Sequence, residues 1–123
     1  MDGSVHPADV RVRRNVVAVN DARFKIARVR GDGDCLFHCF DRIDGMRNGP
    51  AFYRNMTDTP RGWGDTRSIR VYSEITNRNV YVVMPGSPQG FGFVEVFKAS
   101  RRPASEEFLL FRDSHFDHLE RVA

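Results

Sequence analysis

The sequence contains two cysteines, and the first of them has the surroundings that a nucleophile needs. Cys35 ends a turn rich in glycine and aspartate within the stretch GDGDCLFHCF, residues 31–40, where a helical pattern begins. Main-chain N–H groups at a helix N-terminus lack partners inside the helix, so they favour a thiolate and can donate to an oxyanion. Gly31 and Gly33 allow a tight turn and the close approach of a substrate carbonyl. Because many glycine turns precede helices, the nucleophile reading depends on a partner base.

A thiolate nucleophile needs a base, and the base needs a group that orients it. The histidines of the sequence are His6, His38, His115 and His118. The first lies in a loose N-terminal segment and the second on the same helix as the cysteine. In RDSHFDHLERV, residues 112–122, His115 and Asp117 are two positions apart and share a face of an extended segment. Asp117 is therefore placed to hold the ring of His115, whereas His118 points elsewhere.

Other roles for the cysteines make different demands. A zinc site drawn from Cys35, Cys39, His115 and His118 has spacings that are uncommon in zinc proteins, so we expect no metal. Cys39 is most simply a core residue one helical turn after the first cysteine. The N-terminus has no apolar segment of the secretory kind, and two cysteines do not make a disulfide scaffold. These features predict reduced thiols and a cytoplasmic protein, in the host cytoplasm if the source is viral.

The composition is that of one soluble domain. The chain has 123 residues, 41% of them hydrophobic and 28% charged, and we expect a single compact domain over residues 1–123 with residues 1–9 flexible. No apolar run approaches the roughly 20 residues that span a bilayer. Of the 19 basic residues only Lys25 and Lys98 are lysine, and the arginines are scattered. The charge pattern therefore does not favour nucleic acid as a partner.

The hydrophobic spacing predicts the elements that must position these residues. Strand patterns occupy residues 10–20, 22–31, 80–84, 91–99 and 107–111, and helical patterns begin at Cys35 and at Asp65 or Thr66. The last three strands are candidates for a meander. The order predicts an α+β fold: a small central β-sheet packed against helices, with the nucleophile at the N-terminus of a helix.

Three blocks of the sequence together resemble the ovarian tumour (OTU) family of cysteine deubiquitinases. They are GDGDCLFHCF, GWGDTRSIRVYSEITNRNVYVV and FRDSHFDHL, in the family's order from about residue 24 to residue 119. The resemblance implies a papain-like cysteine protease. It makes Cys35 the nucleophile, His115 the general base and acid, and Asp117 the residue that orients it.

The resemblance also implies roles around these three residues. Asp32, with the turn through Gly33 and Asp34 and the N–H of Cys35, helps to shape the oxyanion hole. Trp63 lies near the catalytic histidine and shields it from water. Asp34 stands where the family usually has asparagine, and we expect this carboxylate to face solvent because an inward charge opposes thiolate formation.

The residues and the resemblance predict a thiol isopeptidase. The span from Cys35 to Trp63 is short for the family and resembles compact viral members. We expect a monomer without cofactors that cleaves ubiquitin or a ubiquitin-like protein from lysine through a thioester. Asp34, Asp113 and Glu95 are weak candidates to receive ubiquitin's basic tail. The alternatives are a viral protease that cuts its own polyprotein and an inactive module that binds ubiquitin or nucleic acid.

Overall fold

A computed structural model describes residues 3–60, 62–87 and 90–122, and these form seven strands and three helices. The strands are β1 (Ser4–Arg13), β2 (Val16–Val19), β3 (Ala22–Ala27), β4 (Arg78–Ser87), β5 (Phe91–Phe97), β6 (Ser105–Arg112) and β7 (His115–Arg121). The helices are α1 (Cys35–Ile43), α2 (Pro50–Met56) and α3 (Thr66–Thr76). None of these helices has the length and apolar character to cross a membrane.

The seven strands close into a barrel in the order β1-β2-β3-β7-β6-β4-β5. The prediction of a small central sheet packed against helices is therefore wrong. Closure depends on β1, which pairs with β5 through residues 4–9 and with β2 through residues 10–13. Residues 4–9, for which the sequence predicts flexibility, lie in this strand. The residues of this segment show no strong local strand pattern. Its pairing partner is some 85 residues away, so local sequence could not reveal the pairing.

The last strands do not form the predicted meander. β4 lies between β5 and β6, is antiparallel to β5 and is parallel to β6. β7 then runs antiparallel to both β6 and β3, so it joins the N-terminal and C-terminal parts of the barrel. Residues 115–121 of the segment RDSHFDHLERV, read from the sequence as an extended stretch after the last strand, thus form a strand with neighbours on both sides.

Alternate residues of the strands build two apolar cores. The first is contributed by six strands and fills the barrel: Val10, Val17, Val19, Phe24, Ile26, Val83, Leu110 and Leu119. The second lies between the helices and the outer surface of β4 to β7, where Val82 and Leu109 face α1 and α3. Because strand side chains alternate between faces, adjacent pairs such as Leu109 and Leu110 serve the two different cores.

The helix core holds α1 in place and so determines where Cys35 lies. The rings of Phe40 in α1 and Tyr72 in α3 stack with centroids 3.9 Å apart and an interplanar angle of 6°. Asp44, just after α1, accepts hydrogen bonds from Tyr53 at 2.7 Å and from Tyr72 at 3.3 Å. Burial, followed by the charge of Asp44, raises the pKa of the Tyr72 phenol. Both tyrosines therefore remain neutral donors that connect the three helices at the end of α1.

Candidate functional site

The residues His115 and Asp117 form a hydrogen-bonded pair at the start of β7. The Nε2 atom of His115 donates to Asp117 Oδ1 at 2.9 Å. The same oxygen accepts the main-chain N–H of Val29 at 3.0 Å, so the carboxylate is held from a second segment of the chain. Asp117 is 3% exposed, whereas the His115 side chain is 26% exposed. A buried carboxylate thus orients a ring whose other nitrogen, Nδ1, is free to act as a base.

Cys35 is the first residue of α1 and lies next to this pair. The main-chain N–H of Phe116 donates to Cys35 Sγ at 3.5 Å. Because Phe116 lies between His115 and Asp117 in β7, the contact brings together the cysteine, the histidine and the aspartate that the sequence singled out. A Cβ atom built on Gly31 would lie 3.8 Å from His115 Nδ1, so this ring nitrogen borders the turn before Cys35.

The turn before α1 is held by Asp32. One carboxylate oxygen of Asp32 accepts the main-chain N–H of Asp34 at 3.1 Å, and the other accepts His38 Nε2 at 3.1 Å. The hydrogen bond from His38 is the largest cause of a lowered pKa for Asp32. Gly33 has φ +85°, a conformation that an L side chain rarely adopts. Asp32 therefore acts on the shape of the turn, and the N–H of Asp34 is already engaged by it.

The side chain of Asp34 does not simply face solvent, as the sequence led us to expect. It forms an ion pair with Arg54 of α2. The same guanidinium donates to the main-chain carbonyls of Pro60 at 2.6 Å and Gly62 at 2.9 Å. The charge of Asp34, which seemed an obstacle to a thiolate at the next residue, thus has a counter-charge from an adjacent helix.

Trp63 lies on the loop before α3 and is 60% exposed. It lines a surface cavity of about 420 Å³ together with Ser114 and Phe116, the two chain neighbours of His115. The next residue, Gly64, packs against α1 so closely that an added Cβ would lie 2.6 Å from Leu36 Cδ2. The glycine is therefore required for close approach, and it brings the tryptophan to the edge of the site. A role for Trp63 in shielding His115 stays a prediction.

Cys39 and His118, which the sequence set aside as nucleophile and base, are both buried. Cys39 is fully buried in the helix core, which confirms the core reading. Burial, and to a smaller extent the charge of Cys35, raises the pKa of the Cys39 thiol well above its usual range. The ring of His118 faces Glu107, with Nε2 at 4.0 Å from Oε1. Among the described residues, no group of three or more histidine, cysteine or acidic side chains is arranged to hold a metal ion.

Two of the three candidates to receive a basic tail are engaged by the protein itself. Asp34 pairs with Arg54, and Glu95 is 9% exposed. Asp113, by contrast, is exposed in the turn between β6 and β7, two residues before His115. Of the three, Asp113 therefore keeps the access to solvent that binding a basic segment requires.

Sequence reasoning missed three groups that complete the site: the N–H of Val29, the N–H of Phe116 and the side chain of Arg54. The first two are main-chain atoms, so the residue types there carry no signal. Arg54 lies between the two predicted helices, in a segment to which the sequence assigned no role in the site, and its partners are 6, 8 and 20 positions away. Only the helical geometry of α2 directs this arginine toward the turn.

The architecture of this chain is similar to that of proteins whose structures are solved. The sequence matches no protein-family model and no curated protein significantly. Among solved structures, the viral OTU domain protease from Dera Ghazi Khan virus superposes with a TM-score of 0.68 at 12% identity, covering 97% of this chain and 90% of that one. The fold is therefore that of an OTU domain.

Two further structures extend the comparison. The Hazara virus OTU bound to ubiquitin gives a TM-score of 0.63 at 14% identity, covering 98% of this chain and 96% of that one. The viral OTU domain protease from Qalyub virus gives a TM-score of 0.63 at 15% identity, covering 91% and 97%. The chain thus spans nearly the whole length of these domains.

Proposed function

We propose that this chain is a cysteine-dependent deubiquitinase, a thiol isopeptidase that releases ubiquitin or a ubiquitin-like protein from lysine. The observation that carries the proposal is the meeting of Cys35 with the pair of His115 and Asp117 through the N–H of Phe116. A buried carboxylate, an oriented imidazole and a thiol at a helix N-terminus are the groups that acyl transfer by a thiol requires. The OTU fold, and the ubiquitin bound to its Hazara virus relative, support the choice of substrate.

In the first half-reaction, the Cys35 thiolate attacks the carbonyl carbon of the C-terminal glycine of ubiquitin. The N–H groups at the start of α1 donate to the oxyanion. The C–N bond to the lysine side chain then breaks, and the imidazolium of His115 gives its proton to the leaving amine. Asp117 keeps the ring of His115 in the orientation that directs Nδ1 toward the leaving amine. The product is a thioester between Cys35 and ubiquitin.

In the second half-reaction, water attacks the thioester while His115 takes its proton. The C–S bond breaks, and ubiquitin leaves with a C-terminal carboxylic acid, which gives its proton to solvent and becomes a carboxylate. The thiolate of Cys35 and the imidazolium of His115 are restored together. Burial of Cys35 limits water near the sulfur before the substrate tail arrives, which favours attack on the substrate.

An exposed apolar surface beside the site is suited to the globular part of ubiquitin. Val5, Phe91 and Phe93 are exposed large apolar residues, at 53%, 55% and 37%. The register places Phe93 opposite Met84, which lines an apolar cavity of about 290 Å³ that extends to Phe116. The apolar surface therefore continues from the barrel wall to the residue that contacts Cys35, as a substrate-docking face should.

The test of the proposal is covalent capture by ubiquitin that carries an electrophile at its C-terminus. We expect capture by the native chain and by Cys39→Ala, and none by Cys35→Ala. Hydrolysis of a ubiquitin C-terminal fluorogenic amide should follow the same order. A folded chain that captures neither ubiquitin probes nor probes made from ubiquitin-like proteins would overturn the proposal.

The docking face has its own test. Charge introduced there should raise KM for ubiquitin amide by about tenfold or more and leave kcat largely unchanged. The substitution is Phe93→Arg, and the matched control is Phe52→Arg, because Phe52 is also an exposed phenylalanine but lies on α2. An equal effect of the two substitutions would contradict the assignment of this face.

A further inference from the structure

We propose that Arg54 is a positioning residue that balances the charge of Asp34 and ties the turn before Cys35 to the loop that carries Trp63. The inference rests on the proposed function, because it concerns the same thiol. It adds a residue from α2, an element that lies outside the three sequence blocks around the nucleophile, the tryptophan and the histidine.

The contacts of Arg54 converge from three segments. Its guanidinium pairs with Asp34 in the turn before α1. It donates through Nη1 to the carbonyl of Pro60 at 2.6 Å and through Nη2 to the carbonyl of Gly62 at 2.9 Å. The Cζ atom also lies 4.7 Å from the ring centroid of Phe37 in α1. One side chain, 22% exposed, therefore fixes the turn, the loop and the helix relative to one another.

Electrostatics give the pair a role beyond structure. Asp34 directly precedes Cys35, and its N–H is part of the turn that borders the candidate oxyanion hole. Attack by the thiolate moves negative charge onto a carbonyl oxygen near this turn, and an unpaired carboxylate there opposes that charge. The other turn carboxylate, Asp32, has His38 as its partner. Arg54 therefore supplies the cation that lets an aspartate occupy position 34.

The chemistry of the contacts requires arginine. Lysine carries the same charge, but its ammonium is a point donor that cannot serve a carboxylate and two carbonyls in one plane. Only the planar guanidinium also stacks on the ring of Phe37. The charge role and the tethering role can consequently be separated by substitution, since Arg54→Lys retains the first and loses the second.

The experiment measures the rate at which iodoacetamide alkylates Cys35, resolved from Cys39 by peptide mass spectrometry. We expect Arg54→Ala to slow this reaction by about tenfold or more, because the carboxylate of Asp34 is left without its cation. Adding Asp34→Asn to Arg54→Ala should restore most of the rate. Arg54→Lys should retain the alkylation rate but lower kcat for ubiquitin amide, since the Trp63 loop loses its tether.

The matched control is Arg67→Ala. Arg67 donates to the carbonyls of Thr57 and Asp58 at 3.0 Å and 3.4 Å, so it binds the same connection, and among the described residues it has no carboxylate partner. Its loss should lower the thermal unfolding temperature and leave alkylation of Cys35 unchanged. Where Arg54→Ala does not fold, Arg54→Gln replaces it, because glutamine retains donors and lacks the charge.

The inference is overturned if folded Arg54→Ala is alkylated at the native rate, or if Asp34→Asn fails to restore a rate that Arg54→Ala has lowered. Alkylation requires no ubiquitin, so this result is independent of whether ubiquitin proves to be the substrate. Failure of capture by every ubiquitin-type probe, with alkylation behaving as expected, rejects the proposed function alone.

Discussion

The main-chain N–H of Phe116 donates to the sulfur of Cys35 at 3.5 Å, and this hydrogen bond joins the first residue of α1 to the strand that carries His115 and Asp117. Its donor is a backbone atom whose position follows from the pairing of β7 with β6, where Phe116 is opposite Phe111. Side-chain substitutions at His115 or Asp117 therefore leave this link in place. His115 and Asp117 can therefore be substituted to test their chemical roles without breaking this hydrogen bond.

Replacement of Asp117 by asparagine should lower kcat for ubiquitin amide by about 100-fold or more. Asparagine retains an oxygen for the N–H of Val29 but loses the charge that stabilises the imidazolium of His115. Stopped-time hydrolysis assays give the kinetic effect, and urea unfolding should show a stability close to that of the native chain. Activity above half the native value would contradict the assignment.

The matched variant Asp117→Ala distinguishes the kinetic effect of losing the orientation of the His115 ring from the effect on folding stability. Alanine leaves the part-buried N–H of Val29 without its acceptor, which costs about 1–3 kcal/mol in the free energy of unfolding. Its loss of kcat should equal that of Asp117→Asn. A smaller kinetic loss in the alanine variant would show that the carboxylate acts other than through the ring.

The two histidines of β7 should behave in opposite ways. His115→Gln should abolish turnover and leave stability nearly unchanged, because its ring is partly exposed and its role is chemical. His118→Gln should retain turnover within about threefold and lower the free energy of unfolding by about 1 kcal/mol, since its buried ring faces Glu107. If His118 proves essential and His115 dispensable, the base has been assigned to the wrong residue.

Gly64→Ala should destabilise the protein by about 1–3 kcal/mol, as measured by urea unfolding. The new methyl group would lie 2.6 Å from Leu36 Cδ2 and 3.1 Å from Phe37 Cζ, so either the loop or α1 must move. Leu36→Ala provides the control, because it removes Leu36 Cδ2, the nearest obstructing atom. Its cost should be smaller in the Gly64→Ala background than in the native chain, and equal costs would count against the proposed clash.

Glu107 should contribute stability that depends on pH in a defined direction. Burial is the largest single effect and raises its pKa, but the neighbouring side chains of His118 and Ser105 and the charge of Arg78 together bring the pKa below the ordinary value. A carboxylate with a lowered folded-state pKa stabilises above its unfolded pKa, about 4.3, and loses that contribution as pH falls through the folded value.

The test of that contribution compares Glu107→Gln with the native chain by urea unfolding from pH 7 to about pH 3. We expect the substitution to be destabilising at neutral pH and the difference to shrink as the solution becomes acidic. A difference that grows toward low pH would show that the folded state favours the protonated acid.

Local sequence patterns predicted the turn and helices around the candidate site more successfully than the sheet that carries His115 and Asp117. The turn before Cys35, the helix after it and the two-residue spacing of His115 and Asp117 depend on neighbours within a few positions. The helix from residue 66, capped by Asp65, is equally local. The barrel was not predicted, because its closing pairs join residues 4–9 to β5 and set β4 parallel to β6 through backbone groups that have no residue signature.

The sequence by itself determined which side chains carry the candidate chemistry, since only certain residue types can act as nucleophile, base and orienting acid at those spacings. The tertiary structure alone decided how they meet. The N–H groups of Val29 and Phe116 position Asp117 and Cys35, and Arg54 supplies the counter-charge for Asp34. These contacts cross from one element to another, and a local pattern cannot specify them because they depend on how whole strands and helices pack.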